Sequence, residues 1–305
     1  MLRPRPLKIG DSIGLVGASS STPSDKIELA IKALEMLGLN VIAGESCYAS
    51  YGYLSGKDDL RAKDINSMFQ NPSVAGVFCI RGGYGSARLL DLIDFEMIKS
   101  NPKLFIGYSD VTALHIAFNQ ICKLVTFHGP MPSTELYKGL DSYTMDSYLN
   151  NIFTDRPIGL IKAPEGMEIK TLVDGECEGI ITGGNLSLIT ASIGTKYEID
   201  TKGKILFIEE VDEEPYRVDR MLLQLKQAGK LDSAIGIILG YFTNCIAEEP
   251  EKSLTLMDIF KELIVPLSKP TIYSFPCGHD LPTVTIPLGA KVRIARGSSG
   301  VYFLD

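Results

Sequence analysis

Over roughly its first 130 residues the chain alternates short apolar runs with amphipathic stretches, and that rhythm leaves few folds open. The runs Ser12–Ala18, Leu39–Ala43, Ala75–Ile80, Lys103–Gly107 and Leu124–Phe127 have the length and composition of buried strands. Between them, Ser24–Gly38 sets Ile27, Ala30, Ile31, Leu34 and Leu37 on one helical face, with Gly38 as the stop. Asp58–Phe69, Ser86–Ile93 and Asp110–Cys122 read as further helices. A βαβα order predicts a parallel sheet covered by helices on both faces.

The rhythm breaks after Pro130. Residues 131–170 hold scattered proline, aspartate and glycine around one short helical stretch, Thr144–Phe153. Strands then follow more closely: Gly179–Thr182, Lys204–Glu209, Ala234–Gly240, Thr271–Phe275, Thr283–Pro287, Lys291–Arg296 and Val301–Leu304. Helices are expected at Asn185–Ile193, Pro215–Ala228 and Leu254–Leu263. A chain of 305 residues is long enough for two cores. The expected division is a first α/β domain over 1–135, a linker region over 136–170, and a smaller mixed, strand-rich α/β domain over 171–305.

Thirty basic against 37 acidic residues gives a net charge of −7, which argues against nucleic acid as a partner. No apolar run approaches the ~18 residues of a membrane span, so no membrane association is expected. The basic residues Arg3, Arg5 and Lys8 precede an apolar patch of only six residues, Ile13–Ala18. That is short for a signal-peptide core and reads as the first strand. The six cysteines show no C-x-x-C spacing, and Cys79 and Cys122 sit inside apolar runs. Together these predict a reduced, cytoplasmic protein without a zinc cluster.

The sharpest local feature is Gly107-Tyr108-Ser109-Asp110, where a strand passes into a helix. A serine at such a turn projects its hydroxyl from the sheet edge, and the N–H of Asp110 lies among the unpaired donors of the helix start. An exposed nucleophile and an oxyanion donor are what acyl transfer requires. The competing reading is that Ser109 only caps the helix. The second glycine of G-x-S-x-G is absent, Val111 standing in its place. A glycine-rich turn, Arg81-Gly82-Gly83-Tyr84-Gly85, follows the third strand and matches neither G-x-G-x-x-G nor a Walker motif. In a doubly wound sheet it faces the same crevice as Ser109 and can supply a second amide, or it is a tight turn with no ligand.

Three histidines are candidates for the base. His115 lies six residues beyond Ser109, about 240° around the helix, and reads as a packed helix residue. His128 closes the fifth strand in a loop expected to face the crevice. His279 lies in Gly278-His279-Asp280, a polar loop between two strands of the second half. The third member of such a set is a carboxylate, and Glu209 closes the apolar run Lys204–Ile208. A carboxylate there must be paired, either with a histidine or with an arginine such as Arg217 or Arg220. Glu210, Asp212, Glu213 and Glu214 read as a solvated charged turn.

Taken together, Leu7–Asp11, Arg81–Gly85, Phe105–Asp110, Gly183–Ser187, Leu206–Glu209, Gly278-His279, Pro282 and Pro287–Gly289 resemble, in order, the motif blocks of the LD-carboxypeptidase family of serine peptidases, which also contains the microcin C immunity proteins. The resemblance covers nearly the whole chain. It implies a Rossmann-like N-terminal domain carrying the nucleophile and a smaller C-terminal domain carrying acid and base. It assigns Ser109 as nucleophile, His279 as general base and then acid, Glu209 as the orienting carboxylate, and the amides of Gly83 and Asp110 as the oxyanion hole. Arg81 and Tyr84 are the expected substrate-binding residues. No metal or other cofactor is implied.

The activity implied is release of the terminal D-alanine from muropeptide tetrapeptides in cytoplasmic peptidoglycan recycling, by a homodimeric enzyme. The expected partner is a muropeptide or nucleotide-muropeptide substrate. A second reading within the family is hydrolysis of an acyl-sulfamoyl or phosphoramidate nucleotide, as by the immunity proteins. A third, of another class, is a non-hydrolytic muropeptide- or nucleotide-binding module with Arg81–Gly85 as its cradle.

Overall fold

The apolar runs of the first half form five parallel strands in a computed structural model that describes residues 1–297 and 300–305. They are β1 (Ser12–Val16), β2 (Asn40–Ala43), β3 (Val74–Cys79), β4 (Leu104–Gly107) and β5 (Thr126–His128). Their spatial order is 2-1-3-4-5, so the chain reverses direction across the sheet between β1 and β3. A sixth strand, Ile286–Leu288, comes from near the end of the chain and pairs antiparallel to β5. By its place in the chain this segment groups with the strands of the second half. Its backbone instead completes the first sheet, with Ile286 opposite His128 and Leu288 opposite Thr126.

Helix Ser24–Met36 buries Ile27, Ala30, Ala33 and Leu34, and it ends at Gly38, whose positive φ of 80° is a left-handed stop. Helix Asp58–Gln70 approaches β1 closely because Gly14 has no side chain; a Cβ there would lie 2.6 Å from Met68 Cγ. The expected helix Ser86–Ile93 is only a 3-10 turn, Ser86–Leu89. Asp94 then caps a separate helix, Phe95–Ser100, by accepting from Met97 N. The helix expected over 110–122 starts with a 3-10 turn at Ser109–Val111, continues as Thr112–Ala117 and ends in a π turn at Phe118–Cys122. Helix Ser142–Phe153 falls within the segment read as linker. Its Tyr148 and Ile152 are fully buried in one core with Leu7, Ile13, Leu15 and Leu34.

The chain divides into two compact units, Met1–Asp155 with Val284–Gly289, and Arg156–Thr283 with Ala290–Asp305. The second is built on an eight-stranded mixed sheet of β6 (Gly159–Ile161), β7 (Lys170–Val173), β8 (Cys177–Asn185), β9 (Ile205–Val211), β10 (Gly236–Thr243), β11 (Thr271–Tyr273), β13 (Lys291–Ile294) and β14 (Val301–Phe303), the strand Ile286–Leu288 being β12. The order is 6-14-13-8-9-10-11-7, with β8 to β11 parallel and the flanking strands antiparallel. Helix Pro215–Gln227 sets Val218, Leu222 and Leu225 into this unit's core. Edge strands β6 and β7 were not expected from the sequence. They are three and four residues long, and β7 buries none of its side chains.

Candidate active site

Three loops leave the carboxyl ends of β1, β3 and β4, where the strand order reverses and a doubly wound sheet opens its crevice. The last of them carries Ser109. Its φ is +63°, a left-handed conformation that non-glycine residues adopt rarely and at a cost. Tyr108 and Asp110 on either side are buried, while Ser109 itself is partly exposed. The cap position of the turn that starts at Ser109 is Tyr108, and no side-chain hydrogen bond caps it. Gly107 permits the tight turn, since a Cβ there would lie 3.1 Å from both Cys79 Cβ and Val111 Cγ1.

The glycine turn after β3 packs directly against this serine. A Cβ on Gly82 would lie 3.1 Å from Ser109 Cβ and 3.3 Å from its Oγ. Gly83 has φ +118°, and a Cβ on it would fall 2.3 Å from Ser20 Oγ, in the loop after β1. Two glycines therefore meet a steric demand rather than marking a flexible turn. Arg81 braces the same loop: its Nε donates to Gly82 O and its Nη1 to Ser21 O. The following Tyr84 is exposed, and its N–H donates to Ser20 Oγ.

What holds the three loops together is the buried carboxylate of Asp110. It accepts from Ser19 Oγ (2.6 Å), Gly85 N (3.1 Å) and Ser86 N (2.8 Å), and the Asp110 carbonyl accepts from Ser86 Oγ. The fully buried Arg61 adds a second tie, donating from Nη1 to Ala18 O and Gly85 O and from Nη2 to Asp58. Neither role was read from the sequence, because each joins residues far apart in the chain. Replacing Asp110 with asparagine keeps one acceptor and turns an NH2 group toward an N–H donor. The expected outcome is a loss of about 1–3 kcal/mol in urea unfolding, with kcat down about 10- to 100-fold if the glycine loop carries an oxyanion amide.

His115 is fully buried, and its Nε2 bonds Gly107 O at 2.9 Å. Burial pulls its pKa down to about 4, which keeps it neutral and fits the packed helix residue expected. His128 is not in a crevice loop. It lies buried in β5, in register with Gly107 and Ile286, with its ring against those of Tyr108 and His115.

The second unit contains a histidine–carboxylate pair. His279 Nδ1 lies 2.6 Å from Glu209 Oε2, and Glu209 is fully buried. Its partner is thus a histidine; Arg217 pairs with Glu213 instead. Glycines make the close approach possible. A Cβ on Gly240 would lie 2.3 Å from Cys277 O, and one on Gly278 would lie 3.3 Å from Glu209 Oε2. Tyr241 fixes the histidine loop at both ends, its N–H donating to Cys277 O and its hydroxyl to Pro282 O, each at 2.9 Å.

Glu210 corrects the sequence reading. It is not part of a solvated turn but 2% exposed, and it accepts from Asn185 Nδ2, Ser187 N, Ser187 Oγ and Val211 N. Burial nevertheless raises its pKa above the usual carboxylate range. This explains the Gly183–Ser187 block. Gly183 lets β8 come close to β9, a Cβ there falling 1.9 Å from Phe207 O, and Asn185 and Ser187 clamp the end of the strand that carries Glu209. All six cysteines are free, and among the described residues no group of His, Cys, Asp and Glu is arranged to hold a metal ion. No helix among them is long and apolar enough to cross a membrane.

Both units match known sequences. Residues 13–129 match the LD-carboxypeptidase N-terminal domain and residues 178–294 the LD-carboxypeptidase C-terminal domain. The chain is a serine-type carboxypeptidase. It belongs to the LD-carboxypeptidase family. It is 43% identical over 295 residues to a probable murein peptide carboxypeptidase of Bacillus subtilis (strain 168), covering 96% of this chain and 91% of the relative. Among solved structures, muramoyltetrapeptide carboxypeptidase from Oxalobacter formigenes superposes with a TM-score of 0.81 at 27% identity, over 95% of this chain and 97% of that one. The microcin C7 self-immunity protein MccF in complex with aspartyl sulfamoyl adenosine gives 0.91 at 25% identity, over 100% and 99%.

Proposed function

We propose that this enzyme releases the terminal D-alanine from muropeptide tetrapeptides by acyl-enzyme chemistry, with Ser109, His279 and Glu209 acting as one catalytic set. The observation that carries the reading is the 2.6 Å bond between His279 Nδ1 and the buried Glu209. Accepting from Nδ1–H fixes the tautomer that leaves Nε2 as the proton acceptor. Ser109, already in a strained turn, loses its proton to Nε2 and attacks the carbonyl between the L-centre of the third residue and D-alanine. The amides of Gly83 and Asp110 hold the resulting oxyanion. Protonated His279 delivers its proton to the departing amine of D-alanine, and water then hydrolyses the acyl-enzyme with His279 again as base. Arg81 offers its guanidinium to the carboxylate of the leaving D-alanine.

The substrate class rests on the relatives named for murein peptides and muramoyltetrapeptide. We place the reaction in the cytoplasm, in peptidoglycan recycling, and propose a homodimer. A second reading, hydrolysis of an acyl-sulfamoyl nucleotide, is favoured by the likeness to MccF bound to such a compound. The same acyl chemistry serves both, and only the leaving group differs. The test is assay of D-alanine released from a diaminopimelate-containing muropeptide tetrapeptide, beside hydrolysis of aspartyl sulfamoyl adenosine. Release of D-alanine with the nucleotide left intact is expected. Turnover of the nucleotide alone would overturn the assignment.

A further inference from the structure

Tyrosines 48, 51, 53 and 84 are each more than half exposed, and all lie in the first unit. A single exposed tyrosine is ordinary, but two of these form a fixed pair at the nucleophile loops. The rings of Tyr53 and Tyr84 meet edge to face, with centroids 5.4 Å apart. Tyr53 sits in the turn Tyr51–Leu54, closed by hydrogen bonds from Tyr51 N to Leu54 O and from Leu54 N to Tyr51 O, with Gly52 at φ +61°. Ser21 N donates to Tyr53 O, Ser55 N to Ser19 O, and Tyr84 N to Ser20 Oγ. The buried Leu54 fills the space beside Gly85, where a Cβ would lie 2.4 Å from its Cδ2. Tyr84 thus stands on the loop after β3 and Tyr53 on the segment after β2, both tied by backbone hydrogen bonds to the loop after β1.

We propose that Tyr53 and Tyr84 form a stacking platform for the amino-sugar ring of a muropeptide still joined to its sugar. Aromatic rings held rigid and wet offer large amphipathic contact at little entropic cost, which suits the C–H face of a pyranose. The spacing fits. Three residues separate the sugar from the scissile carbonyl, about 10 Å of extended chain. Tyr84 lies two residues from Gly82, where a Cβ would fall 3.1 Å from Ser109 Cβ, so its Cα is at most about 7 Å from that glycine and within the reach of such a peptide. A nucleobase linked through a diphosphate and ribose would reach well past the pair. The platform makes the enzyme prefer sugar-bearing tetrapeptides over free ones.

This inference rests on the muropeptide reading above, and two measurements keep the two separable. The first is the ratio of kcat/KM for N-acetylmuramoyl-tetrapeptide to that for the free tetrapeptide. We expect about tenfold in the wild type, expressed in KM, falling to near unity in Tyr53→Ala/Tyr84→Ala. A wild-type ratio of one, or a ratio the double variant leaves unchanged, overturns the platform. A preference seen only with a nucleotide-linked tetrapeptide overturns it in favour of a base-stacking site. The second is calorimetric binding of N-acetylmuramoyl-tetrapeptide to Ser109→Ala, with and without the two tyrosine substitutions. If the wild type released D-alanine from neither substrate, the activity reading would fail and binding alone would decide. At least tenfold weaker binding without the tyrosines supports the platform, and equal binding overturns it.

Discussion

Ser109→Ala will lower D-alanine release from a diaminopimelate-containing tetrapeptide by roughly 10⁶-fold while leaving the fold intact. Loss of a serine nucleophile that works with a histidine commonly removes nearly all of the set's contribution at once. The structure makes the alternative, a mere helix cap, easy to separate. Capping serines occupy extended backbone and accept from the next turn's N–H, whereas Ser109 has φ +63° and the cap position is Tyr108. A lost cap would cost about 1 kcal/mol of stability and spare activity. Here alanine meets the same left-handed strain as serine, so urea unfolding should move by less than about 0.5 kcal/mol. Ser109→Gly should be equally inactive yet more stable by about 1 kcal/mol, because glycine adopts that backbone without strain. Activity within tenfold of wild type in either variant would remove Ser109 from the chemistry.

The turn at Ser109 could be read from the sequence because its cause is local: an apolar run, a glycine and a helix start within six residues. The buried strands were legible for the same reason, and β1 to β5 lie within two residues of the expected boundaries. Edge strands β6 and β7 were not, since strands that bury little need no apolar alternation. Helix Phe95–Ser100 is not legible because it is only six residues long and buries Ile98 alone, while its start depends on the Asp94 side chain accepting from Met97 N.

Long-range pairing set the remaining limits. Nothing in Ile286-Pro287-Leu288 says which sheet it joins; only the pairing with β5 decides. Glu210 sits in a run of acids that composition assigns to solvent, and its burial follows from donors on Asn185 and Ser187 more than twenty residues earlier. The same holds for Asp110, whose carboxylate gathers Ser19, Gly85 and Ser86. Candidate chemistry was therefore visible residue by residue, while the groups that hold it in place were not.

Glu209→Gln should lower kcat by about 10⁴-fold, with a much smaller change in KM, and should not destabilise the second unit. The carboxylate accepts from Nδ1–H of His279 at 2.6 Å and is fully buried. An amide in its place can turn NH2 toward the ring, so that Nδ1 becomes the acceptor and Nε2 carries the proton. Nε2 is then unable to take one from Ser109, which is the tautomer penalty seen when the acid of such a set becomes an amide. Stability should move the other way or not at all. Glu209 Oε1 has no hydrogen-bond partner among the described residues, so replacing a buried charge by a neutral group relieves desolvation. A kcat loss together with an unchanged or raised Tm would separate a positioning role in proton transfer from simple collapse of the loop. Adding Glu209→Gln to Ser109→Ala should cost nothing further, because residues that act as one unit are not additive. A kcat within tenfold of wild type, or a further drop in the double variant, would show that Glu209 and Ser109 do not belong to one catalytic set.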